Sequence, residues 1–389
     1  MSPVILLWQE PLQKSSKNYK MSKPRIIAFY LPQYHPFKEN DEWWGKGFTE
    51  WTNVVKAKPL FKGHYQPKIP ADLGFYDLRV PEVREEQARM AREAGIEGFC
   101  YWHYWFHGHE LMERPFWEVV QSGKPDFPFC IGWANETWKS KMWKKDGSLA
   151  EGTKVLIEQT YSEEDDKVHF QKLLPAFKDR RYILVDGKPL VFIHRGKDLP
   201  AHTITIWNQL AREAGFPGIH FVGRVDYPSF SIIDNELSVL YDKGFDALSI
   251  PRLGLVYGKG SSLLSRVIHQ LKSSLLYNGC RRVVKYKDDI NNYIDCEYDT
   301  KESIYPAIYP NWDHSPRSGK SGLIVVGSNP QLFKDYVVKV IRTVNAKQPQ
   351  HQVIFLKSWN EWGEGNYMEP DSKYGDGYLL SLKAALESE

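Results

Sequence analysis

The sequence predicts an α/β protein, a (β/α)8 TIM barrel with long βα loops. Three observations carry that prediction. Eight short apolar runs alternate with helix-like segments. A helix end, a glycine and a strand follow one another three times over. No Gly-rich phosphate loop opens a helix, which counts against an open doubly wound sheet.

Taken in order, residues 25–31 (Arg-Ile-Ile-Ala-Phe-Tyr-Leu) read as the first strand. Residues 81–94 read as a helix, with Pro81 in its first turn and Val83, Gln87, Met90, Ala91 and Ala94 on one face. Gly95 stops it, and a second strand follows at 96–101. Further strands are expected at 128–133, 189–194, 219–223, 245–250, 305–309 and 353–359. Gly215 and Gly244 repeat the helix–Gly–strand joint ahead of two of them. The 389 residues exceed the roughly 250 typical of such barrels, so loops must be long. The candidates are 32–78 and 253–292. The second holds a basic amphipathic stretch, 264–272, expected to pack on the barrel as a helix, with a membrane or partner contact as the alternative.

Residues 1–24 are expected to form a poorly ordered N-terminal extension, and 25–389 a single catalytic domain. The apolar patch Val4-Ile5-Leu6-Leu7-Trp8 lacks a basic flank and is too short for a signal-peptide core. Met21 is an alternative start. No stretch approaches membrane-spanning length, so the expectation is a soluble, cytoplasmic protein.

The balance of 51 basic and 48 acidic side chains gives no electrostatic argument for nucleic acid or an anionic membrane. Four widely spaced cysteines without a CxxC read as buried reduced thiols. The 14 Trp and 22 Tyr point to sugar, because aromatic rings stack on the apolar faces of sugars. No cofactor motif and no metal-binding His pattern stands out.

A barrel places its active site at the C-terminal ends of its strands. The polar and aromatic residues fall there. Tyr30, Gln33, Tyr34 and His35 follow the first strand; Tyr101, His103, Tyr104 and Trp105 end the second. Trp133, Asn135, Glu136 and Trp138 follow the third, His194 and Arg195 the fourth, Arg224 and Asp226 the fifth. Trp312 and Asp313 follow the seventh, and Trp359, Asn360, Glu361, Trp362 and Glu364 the eighth. By alternation, Tyr101, His103 and Trp105 are expected to share the face that lines the pocket. Trp44, Glu50 and Trp51 sit on the long first loop.

At these residues the chain resembles the WbsX family, the glycoside-hydrolase-family-99-like proteins often found with bacterial surface-polysaccharide genes. The matching segments are Ala28-Phe29-Tyr30-Leu31-Pro32-Gln33-Tyr34-His35-Pro36, Trp44-Gly45-Lys46-Gly47-Phe48-Thr49-Glu50-Trp51-Thr52-Asn53-Val54, Gly63-His64-Tyr65-Gln66-Pro67, Phe99-Cys100-Tyr101-Trp102-His103-Tyr104-Trp105-Phe106, Trp133-Ala134-Asn135-Glu136 and the block from Trp359 to Gly365. The resemblance implies a (β/α)8 barrel and a glycan-directed activity. The family carries a glycosyltransferase label, and its fold relationship is with retaining endo-acting mannosidases. The Asn-Glu-Trp-His-Glu-Gly block of those enzymes is similar to Asn360 to Gly365, with Gly363 standing in place of the His.

The chemistry expected from the residues is glycoside hydrolysis of a bacterial surface or related polysaccharide by paired carboxylates. Glu136, between Trp133 and Trp138, is the candidate general acid/base. Glu361 is its partner, as nucleophile or base, and Glu364 binds hydroxyls or activates water. Glu50 either joins them or pairs with an Arg or Lys that holds the loop. His194 and Arg195 suit an anionic sugar or phosphate. The alternatives are glycosyl transfer in O-antigen or capsule synthesis, and a non-catalytic glycan-binding protein. The expected partner is an oligosaccharide or polysaccharide, with no nucleic acid and no cofactor.

Overall fold

The computed structural model describes residues 23–139, 154–225, 233–253 and 263–389. All eight expected strands form within them: β1 (Arg25–Tyr30), β2 (Gly98–Phe106), β3 (Phe129–Trp133), β4 (Lys188–Ile193), β5 (His220–Arg224), β6 (Ala247–Ser249), β7 (Ala307–Ile308) and β8 (Val353–Leu356). Neighbours in sequence are neighbours in the sheet, and their pairing is parallel. β1 joins the ends of the sheet, with Ile27 opposite Gly98 of β2 and Arg25 opposite Val353 of β8. Between β6 and β7 the seam is a single bridge, Leu248 opposite Ile304. There the Leu248 N–H donates to Ser303 and the Tyr305 N–H to Leu248, both at 2.8 Å. The barrel is thus nearly closed. Strands covered on both faces read as continuous apolar runs, and all nine residues of β2 are buried.

Among the described residues a helix of nine residues or more follows each strand: α1 (Pro81–Glu93), α2 (Arg114–Ser122), α3 (Glu163–Phe177), α4 (Ala201–Glu213), α5 (Ile233–Asp242), α6 (Leu263–Leu276), α7 (Pro330–Val344) and α8 (Gly377–Glu387). The expected loop 32–78 carries two short helices, Lys38–Trp44 and Glu50–Lys56. Part of the second expected loop, 254–262, and Asp226 lie outside the described residues, as does nearly all of the N-terminal extension. Among the described residues no helix is long and apolar enough to cross a membrane.

Two expectations need correction. α6 does not pack its apolar face on the barrel; of its described side chains only Ser273 is buried. Three of the free cysteines are buried, but Cys296 is exposed.

Inside the barrel, Phe29, Trp102, Phe192 and Phe355 pack ring against ring, with centroids 4.6 Å (Phe29–Trp102), 4.8 Å (Phe29–Phe192) and 5.1 Å (Phe192–Phe355) apart. They come from β1, β2, β4 and β8 and form an aromatic plug. Whatever lies above it sits on a dry, rigid floor.

The stop after α1 shows why the helix–Gly–strand joint needs glycine. Gly95 has φ +88°, and a Cβ there would lie 2.6 Å from Leu386 Cδ1 of α8. Gly95→Ala is expected to destabilise the fold by about 1–3 kcal/mol through backbone strain and overpacking. The midpoint of denaturant unfolding measures it.

Candidate active site

The parity of β2 decides which side chains reach the pocket, and it is opposite to the expectation. Trp102 stacks on the plug, 4.6 Å from Phe29, and its edge meets His194 at 5.5 Å. Tyr104 also faces inward: burial and then Glu361, with Glu136 and Glu364 behind it, push its phenol up. Tyr101 instead packs on Tyr30 and on Phe116 of α2. His103 meets His169 of α3 at 2.7 Å, and Trp105 stacks on the same ring. Trp133 packs on His169 and on Trp207 of α4, and Trp359 on Phe99. These rings stabilise the helix layer rather than line the pocket. Both faces of β2 are apolar, so alternation alone could not choose between them.

The two Asn-Glu pairs split their labour in the same way. Asn360 is fully buried, accepting from the Leu31 N–H (2.7 Å) and donating to the Leu31 carbonyl (3.0 Å). It laces the end of β8 to the end of β1. Asn135 accepts from the Arg195 N–H (2.8 Å) and donates to its carbonyl (3.1 Å), lacing β3 to β4. Neither amide is offered to a ligand. Each strap aims the glutamate that follows it.

Glu361 and Glu364 form the centre. Burial and the neighbouring Glu364 push Glu361 up to about 7, against Lys357, Arg317 and a 2.8 Å hydrogen bond from Ser358 Oγ. Burial also acts to raise Glu364, but Arg317 and His314 overcome it and hold that carboxyl at about 2. The Arg317 guanidinium touches Glu364, and its Nε donates to Glu50 Oε1 at 2.9 Å. Glu50 thus takes the second of its two expected roles, as the partner of a loop arginine. Gly363 lies against this pair: a Cβ there would fall 1.7 Å from Glu50 Oε1 and 3.1 Å from Arg317 Nε. The space a His side chain would need at 363 is filled by the ion pair.

Around this centre stand cations and rings. Lys357 rests its ammonium 4.3 Å from the Phe29 ring centroid and 4.8 Å from that of Trp102. Burial lowers its pKa, opposed by Glu361 and Glu364. Arg224 Nε donates to the His194 carbonyl at 2.9 Å. Burial, then Arg224 and Lys357, keep the His194 ring neutral. Its Nε2 is 3.8 Å from Glu136, whose side chain is 48% exposed. Glu136 therefore lies on the rim and not between two indole walls, because Trp133 points away. Trp138 meets Tyr104 at 5.2 Å, Phe106 at 5.9 Å and Trp43 at 5.9 Å, an aromatic wall in which Trp43 and not Trp44 takes part. Trp44 is exposed beside Phe48.

Other predicted residues brace the loops. The Tyr34 hydroxyl donates to the Asn360 carbonyl and accepts from the Trp362 N–H at 3.1 Å. His35 Nδ1 lies 3.0 Å from the Pro32 carbonyl, and Gln33 donates to Asn40 at 3.4 Å. Trp51 donates to the Tyr76 carbonyl (2.7 Å), and Trp362 stacks on Tyr367 at 3.7 Å. Asp313 accepts from His64 Nε2 (2.7 Å) and Gln66 Nε2 (2.6 Å). Sequence reasoning missed Lys357, Arg317, His314 and the buried Glu369. Alternation from Phe355 could have found Lys357; nothing in the sequence marked Arg317.

Comparisons with known proteins agree with this architecture. The family model described as "Glycosyltransferase WbsX" matches residues 26–382, and the chain belongs to that family. Two curated relatives from strains of Xanthomonas campestris pv. campestris, both called "Uncharacterized protein WxcX", are 34% identical over 370 residues. The match covers 93% of this chain and 49% of theirs, so the chain spans about half the length of these relatives. Among solved structures, a "Glycoside hydrolase-like protein" superposes with a TM-score of 0.58 at 14% identity, covering 99% of this chain and 97% of the other. The GH99 endo-alpha-mannosidase from Bacteroides thetaiotaomicron gives 0.54 at 14% identity, covering 94% and 96%. At that identity the likeness shows the shared barrel fold.

The crowding at Gly363 gives a direct prediction. Gly363→Ala should displace Glu50 or Arg317 and cost about 1–3 kcal/mol of stability, read as a lower thermal midpoint. Arg317→Met should raise the Glu364 pKa toward the ordinary carboxylate range, read by carboxyl titration.

Proposed function

We propose that this member of the WbsX family is a carbohydrate-active enzyme that hydrolyses glycosidic bonds in a bacterial surface or related polysaccharide. Glu361 is its proton donor and Glu364 its ionised carboxylate. What carries this reading is the unequal setting of one pair at the C-terminal mouth of the barrel. Glu361 is buried and held by Ser358 Oγ beside Glu364; burial and that neighbour push it up to about 7. Glu364 lies on Arg317 and His314, which overcome burial and hold it at about 2. Glycosidic cleavage needs both states at once. A protonated carboxyl must give its proton to the leaving oxygen, while an anion stabilises the cationic sugar ring or attacks it. The general-acid role expected of Glu136 passes to Glu361, because the Glu136 side chain is exposed on the rim whereas Glu361 is buried. Glu136 and neutral His194 are left to bind hydroxyls, and the Trp138–Tyr104–Trp43 wall to stack on sugar faces.

A second reading, glycosyl transfer, is in keeping with the family's description.

The test is turnover on surface polysaccharides and on mannose- and rhamnose-containing oligosaccharides, with and without nucleotide sugars. Release without a nucleotide sugar is expected from the wild type, reduced about 10²–10⁴-fold in Glu361→Gln and Glu364→Gln. The wild-type rate should fall as pH rises through about 7, where Glu361 loses the proton it must donate. It should hold on the acid side until Glu364 is protonated, near 2, or the fold gives way. Glu361→Gln should lose the alkaline limb. Product formed solely with nucleotide sugar would establish transfer, and undiminished turnover in both variants would remove the pair from the mechanism.

A further inference from the structure

We propose that the outer face of α6 is a docking surface for an anionic lipid bilayer. Leu263, Leu264, Val267, Ile268, Leu271 and Leu275 recur at helical spacing and form one stripe. The stripe faces solvent: Leu275 is 85% exposed, Leu263 80% and Leu264 69%. The opposite side holds the helix to the protein. Ser273 Oγ donates to the Cys280 carbonyl (2.9 Å) and accepts from the Val283 N–H (3.2 Å). Just beyond the helix, Tyr277 packs on Phe61 at 4.9 Å, and Asn278 donates to the Leu60 carbonyl at 2.9 Å. An amphipathic helix is normally anchored through its apolar face; here that face is the free one.

The charge around the stripe selects the occupant. Between Asp246 and Asp288 the sequence has no Asp or Glu and eight Lys and Arg. Of these, Lys272, Arg281, Arg282, Lys285 and Lys287 are exposed on α6 or just after it. An apolar helix face bordered mostly by cations, with Asp288 and Asp289 beside its Lys272 and Leu276 end, matches an anionic membrane interface, where the rings of headgroup charge lie outside the acyl layer. A symmetric contact between two copies would set these cations against each other. With 14 residues the helix lies in the interface and does not cross it.

The surface is on the same end of the barrel as the candidate site. Phe61, which holds Tyr277, stacks on His64 at 4.6 Å; His64 binds Asp313; and the Asp313 N–H donates to the Glu364 carbonyl at 2.6 Å. Docking would bring the pocket to glycans held at a membrane surface, a consequence that rests on the proposed function, whereas lipid binding itself does not.

Vesicle flotation of the full chain tests it, using phosphatidylcholine alone and phosphatidylcholine mixed with phosphatidylglycerol. Flotation with the anionic vesicles is expected, weakened by salt. The triple variant Leu264→Asp/Leu271→Asp/Leu275→Asp and the double variant Arg281→Glu/Arg282→Glu should each bind at least about tenfold less. Their thermal midpoints should stay at the wild-type value, since the substituted side chains are exposed. Absence of flotation, equal binding to neutral vesicles, or binding retained by the Asp variant would overturn the proposal. So would a concentration-dependent dimer that the Asp variant dissolves, which would make the face a contact between copies.

Discussion

The site depends on one guanidinium. Arg317 reaches from the β7 loop to touch Glu364 on the β8 loop and donate to Glu50 on the β1 loop. Three loops that close around the mouth are joined at that point. The same contact fixes the electrostatics. With Arg317 and His314 beside it, Glu364 stays ionised despite burial. A fixed negative charge nearby then makes ionisation of Glu361 costly, and its proton is retained up to about 7. The arrangement leaves no room for a side chain at 363, so the glycine is a consequence of the ion pair.

Beneath the pair, the barrel supplies rigidity by repeating one device. Asn360 ties β8 to β1 and Asn135 ties β3 to β4, each through both backbone groups of the facing residue. The aromatic plug below excludes water and gives Lys357 two π faces instead of a hydrated pocket. Low polarity there strengthens each remaining charge interaction, which is why two glutamates three residues apart can differ so widely in proton affinity.

The barrel was legible because its strands are continuous apolar runs and its helices end in glycine, both local signals. The eighth-strand block stood out as carboxylates beside indoles at a strand end, but its indoles pack, Trp359 on Phe99 and Trp362 on Tyr367. Side-chain direction was not legible. β2 is apolar on both faces, so Tyr101, His103 and Trp105 could not be told from Trp102 and Tyr104 without the register to β1 and β3. Arg317 is 267 residues from Glu50 in sequence, and no local pattern encodes that contact. Likewise the basic amphipathic stretch 264–272 was legible as a helix, but which way its apolar face turns was not, because periodicity gives a face and not its direction.

The chain thus presents two features on one end of the barrel: a pocket built on a charge-split carboxylate pair, and an apolar helix face bordered mostly by cations. The most direct measurement is a carboxyl titration by carbon NMR of selectively labelled glutamate, comparing the wild type with Glu361→Gln and Glu364→Gln. Two resonances should titrate near 7, those of Glu361 and the buried Glu369; one of them should vanish in Glu361→Gln and move to lower pH in Glu364→Gln, and the other should stay. If no resonance sensitive to both substitutions titrates above the ordinary carboxylate range, the pair is not split, and the proton-donor role of Glu361 falls with it.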